Sequence, residues 1–190
     1  VLAPNTQNDV LPPHIKQTVK ELDCFLVEEI RTARRFLSSL KMGKPIETLQ
    51  FEVINKKTKP KEVEELFNNF KGKNIGVISE AGCPGVADPG ALAVEYAHRK
   101  NIKVVPLVGP SSILLALMAS GMNGQSFTFH GYLPIDKKDR AKKIQEIEAD
   151  SFRKNQTQIF IETPFRNNIL FENLVSTCHN ATKLCVACDI

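Results

Sequence analysis

Long uninterrupted apolar runs are absent from this 190-residue chain. The longest, residues 113–119, is far shorter than the roughly 20 residues that a helix needs to cross a bilayer. The first residues, Val1-Leu2-Ala3-Pro4, lack the basic flank and the apolar stretch of a secretory signal. We therefore expect no membrane partner and a cytoplasmic location.

Cysteine is scarce, and the five cysteines are an odd number. Without an export signal, this argues against a disulfide framework and favours reduced thiols. Cys185 and Cys188 have CxxC spacing, but residues 184–190 have the pattern of a strand, in which positions three apart point to opposite faces. Because no second Cys or His pair completes a set of four ligands, we predict no metal site.

Two common nucleotide-binding motifs are also missing. The pattern GxGxxG does not occur, which disfavours an ordinary dinucleotide fold and the glycine-rich loop of Rossmann-type methyltransferases. Gly85 and Gly90 have the GxxxxG spacing of a phosphate-binding loop. However, Ala91 and Leu92 stand where Lys and Ser or Thr would hold phosphate and magnesium, so a nucleoside triphosphate is disfavoured.

Strand-length apolar segments alternate with helical segments, which is typical of an α/β protein. The predicted strands are residues 24–27, 75–78, 102–105, 127–129, 159–161 and 184–187. The predicted helices are residues 12–22, 31–41, 60–70, 90–100, 111–120, 138–149 and 166–177. Two glycines and an asparagine at 121–124 predict a boundary between an N-terminal lobe, 1–122, and a C-terminal lobe, 123–190. No turn follows the last strand, so we expect the second lobe to be incomplete at its C-terminus.

A loop rich in glycine and proline, residues 79–90, is the most informative segment. It follows a strand and precedes a helix, which is the position where open α/β sheets bind ligands. Three glycines and two prolines in twelve residues give a stiff loop whose main chain can approach a ligand closely. A plain strand-to-helix connection needs only about two to six residues, so the excess length favours a functional loop.

A second turn, Gly109-Pro110-Ser111-Ser112, precedes an apolar helix that starts near Ile113. Ser111 or Ser112 can cap this helix, whose free amides suit a ligand carboxylate or polar edge. Taken by itself, a turn followed by a helix cap is the simpler explanation.

Positive charge is modest overall, at +4, but it is clustered. The clusters are Arg31, Arg34 and Arg35; Lys56, Lys57, Lys59 and Lys61; and Lys137, Lys138, Arg140, Lys142 and Lys143. Such clusters can hold RNA phosphates. Solvated helix faces are the alternative, because several glutamates lie nearby and offset the charge.

Together, these segments resemble the paired cofactor loops of the tetrapyrrole methylase superfamily, whose members use S-adenosylmethionine. The residues that carry this resemblance are 76–84, 87–90 and 105–112. Three further segments resemble the branch that methylates a cytidine 2′-hydroxyl in small-subunit ribosomal RNA. They are residues 28–32, 129–134 and 161–166.

The resemblance implies a homodimer of two-lobed α/β subunits, each with S-adenosylmethionine in a cleft between its lobes. It implies cofactor contacts from Gly82, Cys83, Val86, Ser111, Ser112, Ile113 and Ala187. Many relatives have Asp or Thr where this chain has Cys83, so we expect main-chain contacts at that position.

Methyl transfer to a ribose hydroxyl needs an in-line approach to the sulfonium and the loss of a proton. Glu29, Asp88 and Glu162 are the candidate general bases by residue type and loop position. For each, a loop-capping or ion-pairing role is the simpler explanation. Guanidinium groups make paired hydrogen bonds to phosphate, and the candidate RNA ligands are Arg31, Arg34, Arg35 and Arg166.

The predicted function is therefore 2′-O-ribose methylation, with ribosomal RNA or the small ribosomal subunit as the partner. The leading alternative is a C-methyltransferase of a sirohaem or cobalamin precursor, because tetrapyrrole carboxylates also attract Arg and Lys. A noncatalytic RNA-binding module is the third possibility, and it predicts no saturable binding of S-adenosylmethionine.

Overall fold

A computed structural model of the chain describes residues 7–188 and 190. The chain divides into two compact units, Val1–Ser111 and Ser112–Ile190. Both contain helices and parallel strands, so the predicted α/β class is confirmed. The predicted lobes are 1–122 and 123–190, so the prediction places residues 112–122 in the N-terminal lobe, whereas they belong to the second compact unit. The division of the chain into these two lobes stays a prediction.

The first unit is a parallel sheet with helices on both faces. Its strands are β1 (Cys24–Val27), β2 (Gln50–Val53) and β3 (Ile75–Ile78), in the spatial order β2-β1-β3. Its helices are α1 (Gln7–Val10), α2 (Pro13–Lys20), α3 (Ile30–Ser39), α4 (Glu62–Asn69) and α5 (Gly90–Arg99). A short 3₁₀ helix, Ile46–Thr48, precedes β2.

The central strand β1 is buried along its whole length. Its side chains alternate between the two faces of the sheet. Phe25 belongs to the same core cluster as Leu37 of α3 on one face, and Leu26 to the same cluster as Tyr96 of α5 on the other. Because all three strands are parallel, their carboxyl ends and the loops that follow them lie at one edge of the sheet.

The second unit is built around a strand–helix–strand motif. The parallel strands β4 (Phe127–Tyr132) and β5 (Thr157–Ile161) are joined by α7 (Lys137–Lys154). Helix α6 (Ser112–Ser120) precedes this motif, and a 3₁₀ helix (Pro164–Arg166) and α8 (Asn167–Thr177) follow it. The buried apolar core consists of Leu133, Ile144, Ile147, Leu170 and Leu174.

Two of the predicted strands are wrong. Residues 102–105 and 184–187 have no regular secondary structure, since neither segment pairs with a strand in the described part of the chain. An apolar pattern predicts an extended segment, but a sheet also requires the backbone groups of a neighbouring strand. The second prediction extended to residue 190, and Asp189 lies outside the described residues.

None of the helices in residues 7–188 combines the length and the apolar character that crossing a bilayer needs. The prediction that no secretory signal is present rests on residues 1–4, which lie outside the described residues.

Candidate functional site

The first predicted cofactor loop, residues 79–90 and hereafter the first loop, begins at the carboxyl end of β3 and is braced by Asp88. Asp88 Oδ1 accepts hydrogen bonds from the backbone amides of Gly85, at 2.9 Å, and Gly90, at 2.7 Å. Gly90 is the first residue of α5, so this carboxylate ties the loop to the start of the helix. A Cβ atom at Gly90 would lie 2.6 Å from Asp88 Oδ1, which explains the glycine.

Gly82 lies at a tight bend of the same loop, with a φ of +72°. The Ser79 hydroxyl donates to the Gly82 carbonyl at 3.1 Å, and the Val86 amide donates to the Cys83 carbonyl at 3.2 Å. Apart from Gly82 and its two neighbours in the chain, no heavy atom of the described residues lies within 4 Å of where a Gly82 Cβ would be. The loop is therefore held by internal hydrogen bonds, while Gly82 faces space that a ligand can use.

The Cys83 thiol connects the first loop to the start of the second turn, Gly109 and Pro110. Its Sγ donates to the Pro110 carbonyl oxygen at 3.4 Å and lies 3.9 Å from the Gly109 carbonyl oxygen. All three residues belong to the first unit. Because a thiol is a weak donor, this contact contributes little to stability, but it brings the two loops side by side.

Two carboxylates that the sequence patterns did not single out lie at the same edge. Glu28 directly follows β1, and its Oε1 accepts a hydrogen bond from the Glu80 amide at 3.2 Å. The Glu80 carboxylate in turn accepts one from the Thr32 hydroxyl at 2.6 Å. Burial raises the pKa of Glu28, and the neighbouring Asp88 raises it further. The sequence signal for Glu28 is its place directly after a buried strand.

Glu28→Gln is expected to stabilise the chain at neutral pH. With its raised pKa, Glu28 binds its proton more tightly in the folded than in the unfolded chain. The wild type therefore loses stability as pH rises from the unfolded pKa, about 4.5, through the folded pKa. Uncharged Gln avoids this loss, so the variant should show a higher thermal midpoint by circular dichroism at neutral pH only. An equal advantage below the unfolded pKa would contradict this explanation.

Comparison with known proteins identifies the family, although no protein-family model matches the chain. The chain is 33% identical over 168 residues to the ribosomal RNA small subunit methyltransferase I of Thermotoga maritima, a match that covers 88% of this chain and 68% of that protein. The protein of the same name from Halalkalibacterium halodurans is 31% identical over 88% of this chain. The chain belongs to the ribosomal RNA small subunit methyltransferase I family. The resemblance drawn from the motifs is confirmed.

The match covers only part of the length of these methyltransferases. It covers 58% of the Halalkalibacterium halodurans protein. In the Bacillus subtilis protein, which is 32% identical over 149 residues, it covers 48%. The residues that the chain does contain include both predicted cofactor loops.

All three candidate bases of this family member accept hydrogen bonds. Glu29 caps α3 by accepting from the Arg31 amide at 3.1 Å, and Asp88 braces its loop. Glu162, in the second unit, has a side chain only 6% exposed. Its Oε1 accepts from Arg166 Nε at 2.8 Å, from Arg166 Nη2 at 2.6 Å and from the Thr163 amide at 2.7 Å. The catalytic roles of these carboxylates stay predictions.

The arginines predicted to contact RNA differ in their surroundings. Arg31, Arg34 and Arg35 of α3 are exposed, as a phosphate ligand must be. The Arg34 guanidinium also lies 5.4 Å from the centre of the Phe51 ring. Arg166 is paired with a buried carboxylate. RNA contact by these four side chains stays a prediction.

The other predicted cofactor residues are divided between the two units. Val86 is exposed in the first loop, and Ser111 is half-buried at the end of the first unit. Ser112 and Ile113 are the first residues of α6 in the second unit. Ala187 was expected on a strand, but it is exposed in a segment without regular structure. Their contacts with a cofactor stay predictions.

Within residues 7–188 and 190, no group of three or more His, Cys, Asp or Glu side chains is placed to hold a metal ion. Cys185 and Cys188 are exposed free thiols, and Cys24, Cys83 and Cys178 are free as well.

Proposed function

We propose that this chain is part of an S-adenosylmethionine-dependent enzyme that methylates a ribose 2′-hydroxyl of small-subunit ribosomal RNA. The observation that carries the proposal is the contact between the Cys83 thiol and the Pro110 carbonyl. It joins two stiff turns at the carboxyl edge of a parallel sheet, where ligands bind in folds of this class. Relatives named for methylation of small-subunit ribosomal RNA support the reaction.

The first loop suits S-adenosylmethionine in both shape and charge. The open space beside Gly82 leaves room for a ligand against the main chain. The carboxylates of Glu28, Glu80 and Asp88 give this edge of the sheet negative charge, which favours a ligand carrying sulfonium and amino cations. When bound, the cofactor supplies a methyl group on a sulfonium, from which it is readily displaced.

The contribution of the chain itself is to hold the reacting groups in place. Asp88 braces the first loop through two backbone amides, which limits movement of whatever binds there, and the Cys83 thiol contacts the second turn. Positioning of this kind can supply about 7–11 kcal/mol of a reaction barrier. The acceptor hydroxyl must also lose a proton, and Glu29, Asp88 and Glu162 remain the candidate bases, with general-base help contributing about 10²- to 10⁴-fold in rate.

The same proposal includes a cofactor cleft completed by Ser111, Ser112, Ile113 and Ala187. It includes RNA contacts by Arg31, Arg34, Arg35 and Arg166. A homodimer acting in the cytoplasm follows from the same family resemblance.

Transfer of a labelled methyl group tests this function. The chain is incubated with methyl-labelled S-adenosylmethionine and either small ribosomal subunits that lack the modification or uroporphyrinogen. We expect the label to enter ribosomal RNA and to be recovered as a 2′-O-methyl nucleoside. Labelled uroporphyrinogen would instead indicate a tetrapyrrole C-methyltransferase. A chain that binds RNA but shows no saturable cofactor binding by calorimetry would be a noncatalytic module.

A further inference from the structure

Two aromatic side chains are exposed at the carboxyl edge of the sheet in the second unit. Tyr132 is the last residue of β4, pairs with Ile161 at the end of the parallel strand β5, and is 51% exposed. Phe165 follows β5 by four residues and is 94% exposed. Because the strands are parallel, both rings lie at the same edge. Neither ring belongs to the apolar core of this unit.

Phe165 is held in place, although its ring is in solvent. The preceding Pro164 restricts the backbone, and the Arg166 amide donates to the Thr163 carbonyl at 3.0 Å to close the turn. Glu162 and Arg166 flank Phe165 in the chain and form an ion pair, in which Arg166 Nη2 lies 2.6 Å from Glu162 Oε1. An exposed aromatic ring on a fixed turn is preorganised for binding.

Exposed lysines lie at the same edge. Helix α7 begins there, and its first residues, Lys137 and Lys138, are exposed. The loop before them is fixed by Arg140, a buried member of the predicted basic cluster, which donates to the Ile135 carbonyl at 2.7 Å. The nearby Asp136 carboxylate is engaged as the helix cap, accepting from the Lys138 amide at 2.8 Å.

Building on the proposed function, we propose that Phe165 is a stacking residue for an unpaired base of the RNA substrate, with Tyr132 at the same edge and Lys137 and Lys138 on the neighbouring phosphates. Recognition of RNA mostly uses unstacked bases, which pack on aromatic rings because every base has a π-face. Lysines position the backbone without reading its sequence. The combination of aromatic rings and cations favours RNA over an apolar protein partner.

Phe152 offers a matched control, because it is also a phenylalanine of the second unit and is 92% exposed. It lies near the other end of α7, about 22 Å from Lys137 along the helix axis at 1.5 Å per residue. Its removal deletes an equally exposed ring at the opposite edge of the sheet.

The proposal is tested by measuring how the full chain binds a single-stranded RNA oligonucleotide of mixed sequence. Binding is monitored by fluorescence anisotropy in the absence of the methyl donor. Phe165→Ala should weaken binding about 5- to 150-fold, Phe165→Trp should retain it, and Phe152→Ala should leave it unchanged. Replacing Lys137 and Lys138 with Ala should reduce the salt slope by about 1.4. Thermal midpoints and affinity for S-adenosylmethionine should be unchanged in every variant.

Four results would overturn the stacking role. They are a wild type that does not bind the oligonucleotide, a Phe165→Ala variant that binds like wild type, an equal loss in Phe152→Ala, or a change of oligomeric state in Phe165→Ala by sedimentation velocity. Failure of the proposed function is seen separately, as a wild type that transfers no labelled methyl group.

Discussion

Gly82→Val is expected to weaken the binding of S-adenosylmethionine about 100-fold or more, a loss of roughly 2.7 kcal/mol. The new side chain would enter the space that the main chain leaves open beside this residue. A β-branched residue also resists the positive φ of +72° at this bend, so the loop itself would shift. Isothermal titration calorimetry on the full chain measures the effect.

Gly72→Val separates obstruction of the site from backbone strain. Gly72 has a φ of +78°, and beyond its two chain neighbours no described heavy atom lies within 4 Å of its Cβ position, so the strain is matched. It precedes β3, whereas Gly82 follows that strand, so the two glycines lie at opposite edges of the sheet. We expect similar losses of thermal stability in both variants but unchanged cofactor affinity in Gly72→Val. Equal affinities in both variants would show that the first loop is not the cofactor site.

Asp88→Ala is expected to weaken cofactor binding about 100-fold, whereas Asp88→Asn should keep most of the affinity. Alanine removes the acceptor of two backbone amides, and each hydrogen bond to a charged group contributes about 1.5–3 kcal/mol. Asparagine retains a carbonyl oxygen at the same atom position, so it can still brace the loop. Calorimetry on both variants and the wild type measures the difference.

Asp88→Asn also tests whether Asp88 removes the proton from the acceptor hydroxyl. An amide cannot act as a base, so a catalytic Asp88 would show a rate about 10²- to 10⁴-fold lower in Asp88→Asn at unchanged cofactor affinity. Because its Oδ1 already accepts two hydrogen bonds, we expect the single-turnover methylation rate of Asp88→Asn to stay near that of the wild type. A selective loss of rate would mean that bracing is not its only role.

Local sequence patterns predicted most helices and four strands close to their observed positions. Helix α7 extends further than predicted, from the cap at Asp136 to Asn155, which ends it with a left-handed φ of 48°. Strand β2 was missed, because Phe51 and Val53 alternate with Gln50 and Glu52 instead of forming a continuous apolar run, and its pairing with β1 defines it. Residues 102–105 show the opposite error, since they have a strand's pattern without a partner among the described residues.

The sequence by itself determined the α/β class, the two glycine- and proline-rich turns and the family, because these depend on short-range patterns and on residues with restricted backbones. Only the tertiary structure decided that Cys83 contacts Pro110, that Glu28 accepts from Glu80, and that Arg140 is buried while Lys137 and Lys138 are exposed. These outcomes depend on strand order and on how helices pack against the sheet. They are long-range contacts between residues that are far apart in the chain and that no local pattern connects.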